Sequence, residues 1–410
     1  MGNSKIGIIV FFIAMIVSQI AYPILLRYAR AHNIVDNPAV RKLQRVPVPV
    51  MGGEVVYAGI LTGGLMLRLL MDSDLLTFGL IGMTAMMIIG LWDDVRDISV
   101  LLRFTIEIAL VCMFIAATGV YIDNLHGLWG IYELEPIVGI SFSILVGVGI
   151  INAVNLIDGV DGYSSGYGML ACVFFGMAFW TVWSPVMVCF TLIVIGALIP
   201  FFMHNVFGVH SKMFMGDGGT LMMGTLMAVL VFYALSSTQR CEVLADRGVG
   251  LCAFVLAVTC IPIFDTLRVM TLRILRGRSP FSPDKTHLHH LFVDMGFSHL
   301  GTALFILLIN TMVVVVWFVS WKLGASVDVQ TYIVIGLGFV VTFGFYKLMK
   351  VQQHGGPVDE EGYPQGTALW HMMCKFGKWT CREKSRAWRF MIYLMDGPMV
   401  GNIGKKKVAI

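Results

Sequence analysis

Charge is what this chain has little of. Asp, Glu, Lys and Arg make up 13% of its 410 residues, where a soluble domain carries about 25%. That scarcity excludes a solvated globular surface. The net charge of +4 is too mild to supply the basic field of a nucleic-acid binder, so no nucleic-acid partner is expected. The eight cysteines offer neither metal spacing nor a disulfide framework. Cys112, Cys172, Cys189, Cys252 and Cys260 lie in apolar runs, Cys241 in a connection, and Cys374 and Cys381 in the tail. The first residues lack a small-residue cleavage pattern, so the run after Lys5 is read as a retained span.

Apolar sequence is what is present, at 57% of the chain. It comes in continuous stretches long enough to cross a bilayer, about 20 residues each. Continuous rather than alternating runs argue against a β-barrel. The expected class is an all-α polytopic membrane protein of about eleven spans, near 6–26, 50–71, 75–92, 100–120, 137–153, 163–183, 185–203, 218–236, 249–272, 301–321 and 329–348. Basic residues favour the odd-numbered connections: Arg27, Arg30, Arg41, Lys42 and Arg45 follow the first span, and Arg273, Arg276, Arg278 and Lys285 follow the ninth. The second and fourth connections carry only acidic charge, with Asp72 and Asp74, then Asp123, Glu133 and Glu135. The positive-inside rule therefore puts odd connections and the C-terminus in the cytoplasm and the N-terminus outside. Arg240 and Arg247, in an even connection, are the weak point of this assignment. Residues 1–350 read as the membrane domain. Residues 351–410 open on a Gly/Pro/acidic linker and continue basic and aromatic, as an amphipathic segment lying on the cytoplasmic leaflet.

Parity gathers the chemistry-bearing residues on one face. A long apolar run ends on Asp93 and Asp94, with Asp97 following. Carboxylates this close to hydrocarbon need a partner such as a metal, a proton relay or a cation, although a solvated helix end gives the same pattern. Arg103, ten residues past Asp93, can reach back to an anion or simply snorkel. In Asn152-Ala-Val-Asn155-Leu-Ile-Asp158-Gly-Val-Asp161-Gly, oxygen-bearing side chains recur every third position and suit a hard cation such as Mg²⁺. Met215-Gly216-Asp217-Gly218-Gly219 precedes an apolar run, where a helix N-terminus can offer N–H groups to a phosphate. Arg41, Lys42 and Arg45, ahead of the Pro47-Val-Pro49-Val-Met51-Gly52-Gly53 turn, suit a phosphate or lipid headgroup. His287-Leu288-His289-His290 follows a basic stretch and reads as an anion- or sugar-binding loop. Together these form an inventory for phosphoryl transfer between a water-soluble nucleotide and a lipid phosphate. A cation-coupled transporter is the competing class, with Glu107 and Asp265 as its mid-span candidates.

Five of these motifs, in order from about residue 35 to 295, resemble those of the polyprenyl-phosphate N-acetylhexosamine-1-phosphate transferases. The resemblance implies a bacterial plasma-membrane enzyme that uses Mg²⁺, with Mn²⁺ as an alternative, a UDP-sugar donor and an undecaprenyl-type phosphate acceptor. It puts the catalytic aspartates on Asp93, Asp94 and Asp217 and the metal on Asn155 and Asp217. Arg41, Lys42, Arg45, Arg103, Asn152, Asp158, Asp161, His287, His289 and His290 fall on its substrate side. Leu288 interrupts the three consecutive histidines usual in the phospho-N-acetylmuramoyl-pentapeptide transferase. The resemblance thus leans to the branch using UDP-N-acetylglucosamine, with the muramoyl enzyme as the alternative. A homodimer is left open, and the tail lies outside the likeness.

Overall fold

The structure is a computed structural model that describes residues 3–37, 46–96, 98–237, 240–282, 286–354, 368–380 and 386–396. Long helices dominate it. In chain order these are α1 (Asn3–Ala31), a two-residue pairing of β1 (Val35–Asp36) with β2 (Val48–Pro49), then α2 (Gly52–Leu70), α3 (Asp74–Val95) and α4 (Val100–Thr118). A hairpin of β3 (Asn124–Leu128) and β4 (Ile131–Glu133) precedes α5 (Pro136–Leu156), α6 (Tyr163–Thr181), α7 (Pro185–Phe207) and α8 (Gly216–Leu235). Next come the short α9 (Glu242–Ala245), α10 (Leu251–Val258), α11 (Cys260–Leu275) and α12 (Leu288–Asp294). Then α13 (His299–Lys322), α14 (Val327–Phe339), a π-helical turn (Val340–Phe345) and α15 (Tyr346–His354) complete the body, and α16 (Ala368–Thr380) and α17 (Arg386–Asp396) follow.

Among the described residues nine helices are long and apolar enough to cross a membrane, or ten if the bent pair α10–α11 counts as one span. The chain is therefore an all-α polytopic membrane protein. Of the eleven spans expected, α6 is the one that falls short, because it opens with Tyr163-Ser164-Ser165-Gly166 rather than with apolar side chains. The α10–α11 bend of 72° has a local cause. Pro262 has no N–H to give the carbonyl of Val258 four residues back. Asn310 of α13 supplies the missing partner, donating from Nδ2 to Val258 O at 3.0 Å and accepting at Oδ1 from Ile261 N at 3.1 Å. Backbone groups at a break inside an apolar layer need such a substitute.

Every residue in the spanning window of α8 is buried. Three glycine contacts let its neighbours come so close. A Cβ on Gly90 would lie 2.4 Å from the Cα of Gly218, joining α3 to α8. One on Gly53 would lie 2.4 Å from the Cα of Gly219, joining α2 to α8. One on Gly224 would lie 2.6 Å from the Cα of Ile151, joining α8 to α5. Small residues permit such backbone approach between membrane helices. Two of the three contacts sit in the first turn of α8, so the ends of α2 and α3 are pinned to the segment that carries Asp217.

The two tail helices keep the expected amphipathic character. Met372, Trp379, Phe390, Tyr393 and Leu394 are exposed large apolar side chains of the kind a bilayer interface covers. Their other faces dock on the protein body: Phe376 meets Phe297 and Phe305, and Trp388 meets Phe207. Amphipathic periodicity alone does not distinguish these two uses.

Gly90→Ala is expected to lower thermal stability in detergent by about 1–3 kcal/mol, as overpacking does. Gly149→Ala on α5, where a Cβ meets nothing within 4 Å, is expected to be neutral or to gain up to about 1 kcal/mol. Equal unfolding midpoints for the two variants would contradict the close approach of α3 and α8.

Candidate active site

The site forms where several helix ends meet. Its frame is a short backbone zipper. Phe214 N–H donates to Pro49 O, Gly52 N–H to Phe214 O and Gly53 N–H to Met215 O, each at 2.8 Å. The Pro-Val-Met-Gly-Gly turn is thereby bonded to the Met-Gly-Asp-Gly-Gly turn. Gly216 has φ +74°, and a Cβ there would lie 2.6 Å from Asp94 Oδ2, so both conformation and space call for glycine.

The adjacent aspartates play different parts. Asp94 accepts from the N–H groups of Asp217 at 3.0 Å and Gly218 at 3.2 Å. It caps α8 from a neighbouring helix and satisfies orphan donors at that helix start. The glycine-run N–H groups, expected to face a phosphate, are therefore turned to Asp94. Asp93 accepts at Oδ1 from Ile98 N–H at 2.8 Å and at Oδ2 from Arg103 Nη1 at 3.3 Å. Its side chain is 11% exposed, so part of it is open to solvent. Asp97 lies outside the described residues.

Arg103 reaches back as expected, but to Asp93 itself. Its Nη2 donates to Asn152 Oδ1 at 3.4 Å, and its Nε is 3.6 Å from Glu107 Oε1. Asn152 Nδ2 donates to Glu107 Oε2 at 2.5 Å. Glu107 is fully buried and is tied into the end cluster rather than lining a mid-depth path. Sequence reasoning misses this role, although the spacing of four from Arg103 is the helical signal that pairs the two; the tie to Asn152, 45 positions away, has no such signal. Asn155 Nδ2 donates to Asp217 Oδ1 at 2.9 Å and to Thr220 Oγ1 at 2.8 Å. The Asn155 carbonyl oxygen and the second Asp217 oxygen take no part in these bonds.

In the rest of the Asn152–Asp161 stretch Ile157 and Val160 are buried, and the two carboxylates take polar partners. Asp158 is exposed and accepts from Ser164 Oγ at 2.6 Å. Asp161 Oδ2 takes both Lys212 Nζ and His299 Nδ1 at 2.6 Å. Burial works against its charge, yet the His299 bond and charge together with Lys212 outweigh it and hold the carboxyl below its ordinary range. Lys212 and His299 have no sequence signal, because they lie 51 and 138 positions from Asp161.

The histidine loop is packed rather than open. His287 and His289 are buried. His287 Nδ1 lies 2.9 Å from Asp265 Oδ2, and Asp265 also takes Arg268 Nη2 at 2.6 Å and the Leu288 N–H at 3.1 Å. Asp265 thus anchors the start of α12 instead of lining a transport path. His289 rests on Gly159, where a Cβ would come 2.2 Å from its Nε2, so the loop abuts the Asn155–Asp161 stretch. Burial, with the neighbouring His290 and His287 charges, keeps His289 well below the usual imidazole range. Its surroundings therefore favour the neutral ring. The ring of His290 is 4.4 Å from that of His289. Arg41, Lys42 and Arg45 lie outside the described residues.

Metal binding can be tested on the donor set. Among the described residues no three His, Cys, Asp or Glu side chains gather as a cage. The Asn155 amide oxygen and Asp217 carboxylate are hard donors few in number, the kind Mg²⁺ uses when waters and substrate phosphates complete its shell. The residues fit such an ion and do not fit an all-protein transition-metal site.

Fold and site define a polytopic membrane enzyme with carboxylates, amides and histidines gathered at one end of its helices. Residues 76–235 match the model of glycosyl transferase family 4. The undecaprenyl-phosphate alpha-N-acetylglucosaminyl 1-phosphate transferase of Escherichia coli (strain K12) is 31% identical over 277 residues, covering 66% of this chain and 72% of that protein. The decaprenyl-phosphate N-acetylglucosaminephosphotransferase of Mycolicibacterium smegmatis is 31% identical over 344 residues, with 75% and 79% covered. The Yersinia pestis protein named like that of E. coli is 30% identical over 275 residues, with 65% and 71% covered. The chain belongs to glycosyl transferase family 4, and its activity class is phosphosugar transfer.

Two outcomes follow for the site. Glu107→Leu removes one of Arg103's two counter-charges, leaving Asp93, and one of Asn152's two acceptors, leaving the Val148 carbonyl, and is expected to lower stability by about 1–3 kcal/mol. A thermal-unfolding cycle in detergent that adds Arg103→Met reads how much of that loss runs through the Arg103–Glu107 pair, with a coupling of about 0.5–3 kcal/mol expected. Asp161, with its depressed folded value, contributes stability at neutral pH that is lost as pH falls through that value. Asp161→Asn is therefore expected to flatten the acid limb of a stability–pH curve taken from about pH 7 to 3.

Proposed function

We propose that the protein transfers N-acetylglucosamine 1-phosphate from UDP-N-acetylglucosamine to undecaprenyl phosphate at the cytoplasmic face of a bacterial plasma membrane, initiating a lipid-linked glycan. The observation that carries this reading is the Asn155–Asp217 pair, held beside Asp93 by the Asp94 cap. The relatives' substrates support it, as do the basic residues flanking this end of the helices. By the same rule the N-terminus is outside and the tail inside.

An oxygen of the acceptor phosphate forms a bond to the sugar-bearing phosphorus of the donor. The bond from that phosphorus to the bridging oxygen breaks, and UMP leaves with the electron pair. Asp93, steadied by Arg103 and the Ile98 N–H, orients the acceptor phosphate. A strong base is not required, because a phosphate monoester has its second pKa near ~6. Asn155 and Asp217 would hold Mg²⁺, which when bound neutralises diphosphate charge. Asp94 positions Asp217, and the loops around Asp161 and His289 bound the donor side. His289, being neutral, offers hydrogen bonds to hydroxyls rather than charge to phosphate.

The test is UMP release by purified protein in lipid with undecaprenyl phosphate and a panel of UDP-sugars. Release with UDP-N-acetylglucosamine is expected, abolished by chelator and reduced by about 10³-fold or more in Asp217→Ala. Release only with the UDP-muramoyl-pentapeptide donor would overturn the choice of sugar. Full activity in Asp217→Ala would overturn the site.

A further inference from the structure

The two tail helices hold the loops on either side of Asp161. Asp396, the last residue of α17, accepts the N–H groups of Val209 at 2.8 Å, His210 at 2.9 Å and Ser211 at 2.9 Å. The carbonyls of that turn face the other way, to α1: His210 O takes the Arg30 guanidinium, and Ser211 O takes Tyr22 OH at 2.8 Å. Trp388 of α17 packs on Phe207 with ring centres 5.0 Å apart. The next residue after this captured turn is Lys212, whose Nζ sits on Asp161 Oδ2.

The second helix repeats the arrangement on the opposite loop. Thr380, the last residue of α16, accepts the Ser298 N–H at Oγ1 at 3.1 Å, and its carbonyl accepts from Ser298 Oγ at 3.2 Å. Gly377 lies so near Phe297 that a Cβ would come 2.7 Å from its ring. The residue after Ser298 is His299, whose Nδ1 sits on the same Asp161 Oδ2. Each partner of Asp161 therefore stands one residue beyond a position gripped by the tail. The grips come from two different helices and converge on one carboxylate oxygen.

We infer that α16 and α17 form a brace for the donor site, in which Asp396 acting through Lys212, and Thr380 acting through His299, are positioning residues that set the Asn155–Asp161 loop for the sugar nucleotide. Neither residue touches substrate. Their effect falls on donor affinity, because the loop they steady bounds the donor side, while Asp93, Asn155 and Asp217 are held by separate bonds within the body. The inference rests on the proposed donor reading for its kinetic consequence, and on the structure alone for its mechanical one.

The experiment uses the full-length protein in nanodiscs. Asp396→Ala is expected to raise KM for UDP-N-acetylglucosamine about tenfold, the loss of a charge-assisted set of hydrogen bonds, with kcat changed less than about twofold. Asp396→Glu is expected to restore part of the loss, and Thr380→Val to raise the same KM independently. On a Lys212→Met background Asp396→Ala is expected to add little further. Amide exchange reads the brace without catalysis: Asp396→Ala is expected to speed exchange both at 207–212 and across 157–163. Faster exchange at 207–212 alone, with KM unchanged, would overturn the inference, as would a fully additive effect with Lys212→Met. If the wild-type chain releases no UMP from any UDP-sugar, the donor reading fails and exchange across 157–163 decides the brace.

Discussion

The Asp94 carboxylate on the N–H groups of Asp217 and Gly218 is the contact on which the site depends. A fully buried helix begins at Gly216, and its first N–H groups have no intrahelical partner. In an apolar layer each unsatisfied group is costly. Asp94 answers that need from α3, and in doing so fixes its neighbour Asp93 relative to Asp217. The chain thus uses one carboxylate as a cap and leaves the adjacent one, bonded to Arg103 and the Ile98 N–H, partly open to solvent. The helix dipole favours an anion at that place, so capping and local electrostatics act together.

The glycines extend the same logic. Gly90 and Gly218, and Gly53 and Gly219, let three helix ends approach at backbone distance. The zipper from Pro49 to Met215 then bonds the loop that precedes α2 to the loop that precedes α8. With these contacts in place, Asn155 needs only the correct face of α5 to meet Asp217 and Thr220. Precision at the site comes from backbone packing beneath it, which is the arrangement that limits side-chain drift.

Much of this is legible in the amino-acid sequence. Apolar run length and the scarcity of charge give the membrane class, and the charge asymmetry of the connections sorts Asp93, Asn155, Asp217 and His287 to one end, where the helices do bring them together. What is not legible has physical causes. The pairs of Asp161 with Lys212 and His299, and of Asp396 with residues 209–211, join positions far apart in the chain and carry no local pattern. Glu107 stands four positions from Arg103, a spacing that puts both on one helical face, but its bond to Asn152, 45 positions away, carries no local pattern. The Gly-Asp-Gly-Gly run reads as a phosphate cradle or as a turn that begins a helix, and its N–H groups are taken by Asp94, which the sequence alone does not place there. The amphipathic tail shows its periodicity but not its partner, since a membrane surface and a protein surface ask for the same stripe.

Leu288 shows how a sequence clue can act by another route. Its interruption of the histidine run is what inclines the motif toward an N-acetylglucosamine donor. In the structure its side chain is 1% exposed and belongs to the apolar core, while its N–H is held by Asp265. A histidine in that place would bury a polar ring among apolar neighbours, which costs free energy unless a partner is supplied. Position 288 therefore acts on the seating of α12, and with it on how His289 leans on Gly159 and where His290 lies beside it.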